Sequence, residues 1–129
     1  GELHVALPGL DGRKVQDAVT HWYRDAARPY LEEHVAALAA RAGLEPPRLF
    51  LSSARLRWGS CNSRREVRLA WRLLKAPPEL VDYVVCHELA HLRHMNHSRA
   101  FWAEVERQCP DYRLLRRRLC AADPLYRTF

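Results

Sequence analysis

No part of this 129-residue sequence is apolar for long enough to cross a membrane. A membrane-spanning helix needs about 18 uninterrupted apolar residues, and no stretch of the chain approaches that length. The chain also lacks a basic segment followed by an apolar one, which is the pattern of a signal peptide. With 48% hydrophobic and 28% charged residues, the composition is that of a globular protein. We therefore expect a cytoplasmic protein with no membrane partner.

Closely spaced cysteine pairs are missing as well. The four cysteines, Cys61, Cys86, Cys109 and Cys120, form no C-x-x-C pair, and a domain of this length does not need disulfide bonds to fold. We expect four reduced thiols, in agreement with a cytoplasmic location. The length leaves no room for two independent cores, so we assign residues 1–129 to a single domain.

Lysine is scarce, because only Lys14 and Lys75 stand among the 21 basic residues. The net charge is nevertheless +6 with neutral histidines, and arginine is the better phosphate ligand. The basic excess is spread along the chain except at Arg116-Arg117-Arg118. A solvated basic surface is the preferred interpretation, and we expect nucleic-acid binding, where it occurs, to be weak.

Helical periodicity dominates the first third of the chain. Apolar residues recur at helical spacing from Val15 to Ala42. Pro29 interrupts the run, which predicts one kinked helix or two abutting helices that end at Gly43. Before this region, the short apolar run from Leu3 to Leu7 predicts an edge strand.

The apolar period then changes from 3.6 to 2. Leu49-Phe50-Leu51 predicts a short strand. Two alternating runs, 54–58 and 67–71, flank the polar turn 62–66 and predict an antiparallel hairpin. This turn contains no glycine, although such turns usually carry one.

Three helices are predicted in the rest of the chain. Pro77-Pro78 opens the first, Ser98 is a suitable N-cap for the second, and Pro110 precedes the third. The order predicts an α+β domain with an N-terminal helix, a small antiparallel sheet, a central helix and two C-terminal helices.

The central helix carries the strongest chemical signal of the sequence, the H-E-x-x-H motif. At 100° per residue, His87 and His91 lie about 40° apart and one turn along the axis, so both imidazoles can reach one ion. Glu88 is rotated by about 100° from His87, which lets it hold a water molecule near the metal without binding the ion. The motif predicts a site for one Zn²⁺ ion.

A catalytic zinc takes three protein ligands and leaves one position for water. His94 lies on the same face as the motif histidines, but three ligands in a line along one helix cannot surround an ion tetrahedrally. Asn96 tolerates left-handed backbone geometry and supplies a turn just before His97. This favours His97 as the third ligand, with Glu104 and His94 as alternatives.

Other segments stand in a fixed order around the motif. They are Arg57-Trp58-Gly59-Ser60-Cys61, Val67-Arg68-Leu69, Ala76-Pro77-Pro78, Asp82-Tyr83-Val84-Val85, Asn96-His97-Ser98 and Phe101-Trp102. In this combination the chain resembles the YgjP-like metallopeptidase family, which is related to the SprT-like and WLM zinc metallopeptidases. The resemblance implies a zincin-like domain. An upstream β-rich segment that is common in full-length members is mostly missing, which fits a truncated N-terminus.

The resemblance also implies the roles of individual residues. His87, His91 and His97 would bind zinc, and Glu88 would act as general base. The expected activity is hydrolysis of peptide bonds in a peptide or protein substrate by a zinc-bound water that Glu88 activates. The oxyanion also needs a hydrogen-bond donor, and Arg57, Arg64 and Tyr83 are candidates.

Two other functions are compatible with the sequence. The first is a DNA-associated protease of the SprT or WLM kind, in which the basic cluster Arg116-Arg117-Arg118 would contact the nucleic acid. The second is a non-catalytic binding module that contains a structural zinc. Glu88 argues against this second function, because a structural site has no use for a base beside an open coordination position.

Overall fold

The computed structural model describes residues 12–54 and 57–127, and the side chains of residues 12–54 and 57–122. The strand expected at Leu3–Leu7 lies outside these ranges. No described helix is both long and apolar enough to cross a membrane. The elements of the described chain are α1 (Gly12–Arg41), β1 (Arg48–Ser52), β2 (Gly59–Cys61), β3 (Glu66–Ala70), a 3-10 helix (Trp71–Lys75), α2 (Pro78–Ala90), α3 (Arg99–Gln108) and α4 (Tyr112–Arg127).

Helix α1 is one continuous helix in spite of its internal proline. Pro29 lies on the exposed side, so the carbonyl group that loses its intrahelical partner can be hydrated by water. The opposite side is buried and consists of Ala27, Leu31, Val35, Leu38 and Ala39. Just beyond the helix Gly43 has a φ of +72°, a conformation that glycine adopts without strain. The predicted end of the helix at this glycine is confirmed.

The three strands form a sheet in the order β1-β3-β2. The predicted hairpin is confirmed, because β2 and β3 are antiparallel with Gly59 opposite Leu69. The expectation of a purely antiparallel sheet is wrong, because β1 pairs with β3 in parallel, with Leu49 opposite Val67. The chain crosses from β1 to the far side of β3 before the hairpin begins, so β1 and β3 run in the same direction.

Both strands of the hairpin are displaced from the predicted runs. Strand β2 begins at Gly59, although the carbonyl of Trp58 still accepts a hydrogen bond from Ala70 N at 2.9 Å. Strand β3 ends at Ala70, because Trp71 turns into the 3-10 helix and is fully buried there. Alternation of apolar residues predicts the face on which a side chain lies, but it does not show where pairing stops.

The hairpin turn forms without glycine because two other residues replace its function. Arg65 adopts a φ of +59°, which costs some strain for a residue with a side chain. The side-chain oxygen of Asn62 accepts hydrogen bonds from Arg64 N at 2.9 Å and Glu66 N at 3.2 Å. Its side-chain nitrogen donates to the Glu66 carboxylate at 2.7 Å. Asn62 therefore stabilises the turn from within.

Helix α2 lies at the centre of the domain. It packs against α1, α3, α4 and strand β2, and its buried residues lie all around its axis. They are Leu80, Val81, Tyr83, Val84, Val85, Cys86, Glu88, Leu89 and Ala90. A helix buried on all sides is held in one position by its neighbours, so side chains near its end have fixed origins.

The N-cap of α3 offers a test of this fold. Ser98 Oγ accepts a hydrogen bond from Phe101 N at 3.3 Å, and removal of such a cap costs about 1 kcal/mol. We expect Ser98→Ala to lower the free energy of unfolding by about this amount in urea titrations. Ser63→Ala, at an exposed position of the hairpin turn, should leave the midpoint unchanged. Equal stability of the two variants would contradict the assigned cap.

Candidate metal centre

The two histidines of the motif lie at the C-terminal end of α2. His87 is in its last turn, and His91 caps the helix. Their ring centroids are 5.3 Å apart, as expected for neighbours one turn apart on the same side. Both rings pack against Phe101 of α3, at 5.1 Å and 4.5 Å between centroids. The fully buried Phe101 ring therefore limits how far either imidazole can rotate.

The chain reverses after α2 and brings a third histidine back to this site. His97 Nε2 lies 3.2 Å from His91 Nε2. One ring nitrogen from each of His87, His91 and His97 lies within 4.8 Å of the other two. Nitrogens bound to zinc at 2.0–2.1 Å with tetrahedral angles would stand about 3.3 Å apart. The donor set therefore fits a metal ion in type, number and spacing.

Hydrogen bonds select which nitrogen of each motif histidine faces the centre. His91 Nδ1 lies 3.1 Å from the carbonyl oxygen of His94, and because a carbonyl only accepts, Nδ1 carries the proton. His87 Nδ1 lies 3.2 Å from the Glu88 carboxylate and donates to it in the same way. In the neutral form of each ring Nε2 is then the unprotonated nitrogen, which is the atom that can bind a metal.

The other two candidates for a third ligand have different contacts. The His94 carbonyl orients His91, and its ring does not join the group of donor atoms among the described residues. The Glu104 carboxylate accepts hydrogen bonds from Arg107 at 2.6 Å and Gln108 at 2.7 Å, and Arg93 is 3.4 Å away. The hydrogen bond from Arg107 lowers the pKa of Glu104. This carboxylate is therefore occupied by neighbouring side chains, and it is not among the donor atoms that surround the candidate metal position.

His97 is the most exposed of the three clustered histidines. Its partial burial, together with the neighbouring His87 and His91, lowers the pKa of His97 below its usual value. The shift favours the neutral imidazole, which is again the form that can act as a ligand.

Glu88 lies beside the histidine cluster and is only 5% exposed. Strand β2 passes directly over it at Gly59. A Cβ atom at this position would stand 3.0 Å from both Cγ and Oε2 of Glu88 and 3.1 Å from a methyl group of Leu69. The motifs in the sequence assign no role to Gly59. The signal was available, because a glycine at the start of a strand marks close approach of another group.

A cavity of about 260 Å³ opens next to Glu88. Two of the three candidates for an oxyanion donor line this cavity, and the third does not. Arg57 and Tyr83 line it, whereas Arg64 lies in the hairpin turn. Burial raises the pKa of Tyr83 to about 12, so its hydroxyl group stays protonated at neutral pH. Its ring centroid is 6.2 Å from that of His87.

Cys61 of strand β2 lies near this site, and the charge of Glu88 acts on its thiol group. Burial, and then the charge of Glu88, raise the pKa of Cys61 to about 11. The group is therefore a neutral thiol and a poor nucleophile at neutral pH. All four cysteines of the chain are free.

Comparisons with known proteins point to metallopeptidases. The family model of the YgjP-like metallopeptidase domain matches residues 2–122. No curated protein matches the chain. The crystal structure of the metallopeptidase zymogen of Pyrococcus abyssi abylysin is 21% identical, with a TM-score of 0.64 over 70% of this chain and 92% of that one. For the metallopeptidase zymogen of Methanocaldococcus jannaschii jannalysin the values are 18%, 0.55, 68% and 94%. At these identities the two structures show a shared fold.

The contact between Gly59 and Glu88 can be tested by adding a single methyl group. We expect Gly59→Ala to lower the free energy of unfolding by about 1–3 kcal/mol, because the new Cβ overpacks the space between Glu88 and Leu69. Urea denaturation measures the change. Gly12→Ala is the matched control, since a Cβ there meets nothing within 4 Å. A Gly59→Ala protein as stable as the wild type would show that Glu88 is free to move away.

Proposed function

The chain belongs to the YgjP-like metallopeptidase family, and on this basis we propose that it is a zinc-dependent peptidase with His87, His91 and His97 as zinc ligands and Glu88 as general base. The observation that carries the proposal is the convergence of three imidazole nitrogens within 4.8 Å of one another, next to a carboxylate that is not part of the group.

The donor set supports a catalytic site rather than a structural one. Structural zinc sites are closed by four protein ligands, whereas catalytic sites use three and keep one position open. Among residues whose side chains are described, no further His, Cys, Asp or Glu joins the three histidines. A bound zinc ion would lower the pKa of a water molecule towards neutrality and polarise the peptide carbonyl.

Glu88 is suited to move the proton that this reaction releases. Its carboxylate takes a proton from water as the water oxygen attacks the peptide carbonyl carbon. The carboxyl group of Glu88 then gives the proton to the nitrogen as the C–N bond breaks, which leaves a carboxylic acid and an amine. The new acid releases its remaining proton to solvent or to the amine at neutral pH. Gly59 restricts the carboxylate from above, and His87 Nδ1 holds one of its oxygens. The Glu88 carboxylate is therefore already oriented before the reaction begins.

The alternative of a DNA-associated protease receives less support from the surface. In the basic cluster Arg116-Arg117-Arg118, Arg118 pairs with Glu79 at 2.9 Å and Arg116 lies over the Trp102 ring at 5.1 Å. Two of the three arginines thus already have partners within the chain. We propose that nucleic-acid binding, where it occurs, is weak and lost at moderate salt, as expected for a few phosphate contacts.

The assignment of the third ligand predicts different effects for neighbouring histidines. We expect the wild-type protein to hold about one zinc ion per chain and His97→Ala to lose most of it, because one of three ligands is removed. His94→Ala should keep the metal, because its main-chain carbonyl still orients His91. Metal analysis and competitive zinc titration measure both. Equal losses in the two variants would refute the assignment.

The role of Glu88 predicts a separation of metal binding from catalysis. Glu88→Gln should keep zinc and the fold, because glutamine has nearly the same shape, but kcat should fall by about 10²–10⁴ because the amide cannot accept the proton. The measurement is cleavage of an unstructured protein after metal analysis. Glu106→Gln, at an exposed position of α3, is the control with unchanged kcat. A zinc-loaded Glu88→Gln protein that cleaves at the wild-type rate would remove Glu88 from the mechanism.

A further inference from the structure

The cavity of about 260 Å³ beside Glu88 is lined by residues from three parts of the chain. We propose that it is a specificity pocket and that the substrate is a polypeptide with a large apolar residue on the amine side of the bond that is cleaved. This proposal rests on the proposed peptidase function. The walls come from the segment before and at the start of β2, from α2 and from α4. They include Arg57, Tyr83, Val84 and Leu119 together with His87 and Glu88.

The size of the cavity fits one side chain. Sites for drug-sized ligands have volumes of about 300–1,000 Å³, and this cavity lies below that range. It is nevertheless much larger than the space that one water molecule needs. A single leucine, methionine or phenylalanine side chain is the occupant of matching size.

The lining favours an apolar occupant. Tyr83, Val84 and Leu119 are only 5%, 3% and 8% exposed, so their side chains belong to the core and cannot turn away. A charged side chain placed among these three residues would lose its hydration and find no ion-pair partner in them. Glu88 and the exposed Arg57 also line the cavity, so a charged group of either sign would meet a like charge as well as an opposite one.

The position of Glu88 decides which substrate residue enters. In the proposed reaction Glu88 gives its proton to the nitrogen that leaves. The residue that carries this nitrogen must therefore lie against Glu88, and its side chain begins only one bond farther away, at the Cα atom. The cavity that adjoins Glu88 is in reach of that side chain. His97 does not line this cavity but borders a separate surface depression with Trp102.

Peptides that differ only in the residue on the amine side of the cleaved bond test the preference. We expect kcat/KM for leucine and phenylalanine to exceed that for alanine by about 10- to 100-fold, because each buried methylene contributes about a factor of four. Aspartate and lysine should be cleaved more slowly than alanine. An active enzyme with a flat profile across these peptides would overturn the pocket and leave the peptidase function intact.

Leu119 offers a way to alter the pocket with a matched control. Leu119→Ala should widen it and raise the ratio of phenylalanine to leucine cleavage several-fold. Leu115→Ala removes an equally buried leucine from the same helix, outside the cavity, and should leave the ratio unchanged. Leu119→Phe guards against loss of folding, because the larger ring can extend into the empty space. It should reduce the advantage of leucine and phenylalanine over alanine. If Leu119→Phe folds and keeps the wild-type profile, the pocket is wrong.

Peptide binding gives a readout that does not depend on turnover. The Glu88→Gln variant should bind the same peptides in calorimetry with dissociation constants in the same order, leucine and phenylalanine being the tightest. If the wild type cleaves none of the peptides but the order of binding holds, the peptidase function fails and the pocket stands. If neither cleavage nor binding shows the order, the pocket fails.

Discussion

The burial of α2 is the constraint on which the rest of the structure depends. This helix contacts α1, α3, α4 and strand β2, so its axis and rotation are determined by packing on every side. Two of the three clustered histidines and the proposed base occupy its last turn and C-cap. A site on a helix held in this way is positioned before any ligand arrives, and preorganisation of this kind lowers the cost of binding and of catalysis.

Hydrogen bonds then orient the side chains whose positions are set by packing. His87 donates to the Glu88 carboxylate and His91 donates to the His94 carbonyl, so the hydrogen bonds that orient the rings also select the nitrogens that face the centre. Gly59 contributes because it has no side chain, which leaves room for Glu88 under β2. The histidine cluster and the proposed base are therefore joined by the hydrogen bond from His87 to Glu88.

Helix α4 links the C-terminal part of the chain to the proposed specificity. Leu119 packs in the core and also forms one wall of the cavity beside Glu88. The contact between α4 and α2 brings Leu119 to this cavity. Residues that would bind the metal and residues that would select the substrate thus come from different elements. Substitutions on α4 can therefore alter preference without touching the proposed metal ligands.

Local patterns in the sequence were enough to predict α1, α2, the hairpin and the shared face of His87 and His91, because each depends on residues within a few positions of one another. The expected turn at Asn96 also favoured His97 over His94, although α2 ends at Ala90, before both residues. Only the tertiary structure decided the parallel direction of β1, the close contact of Gly59 with Glu88 and the cavity closed by Leu119. These features arise where segments distant in the chain meet, and periodicity along one segment holds no information about which other segment will pack against it.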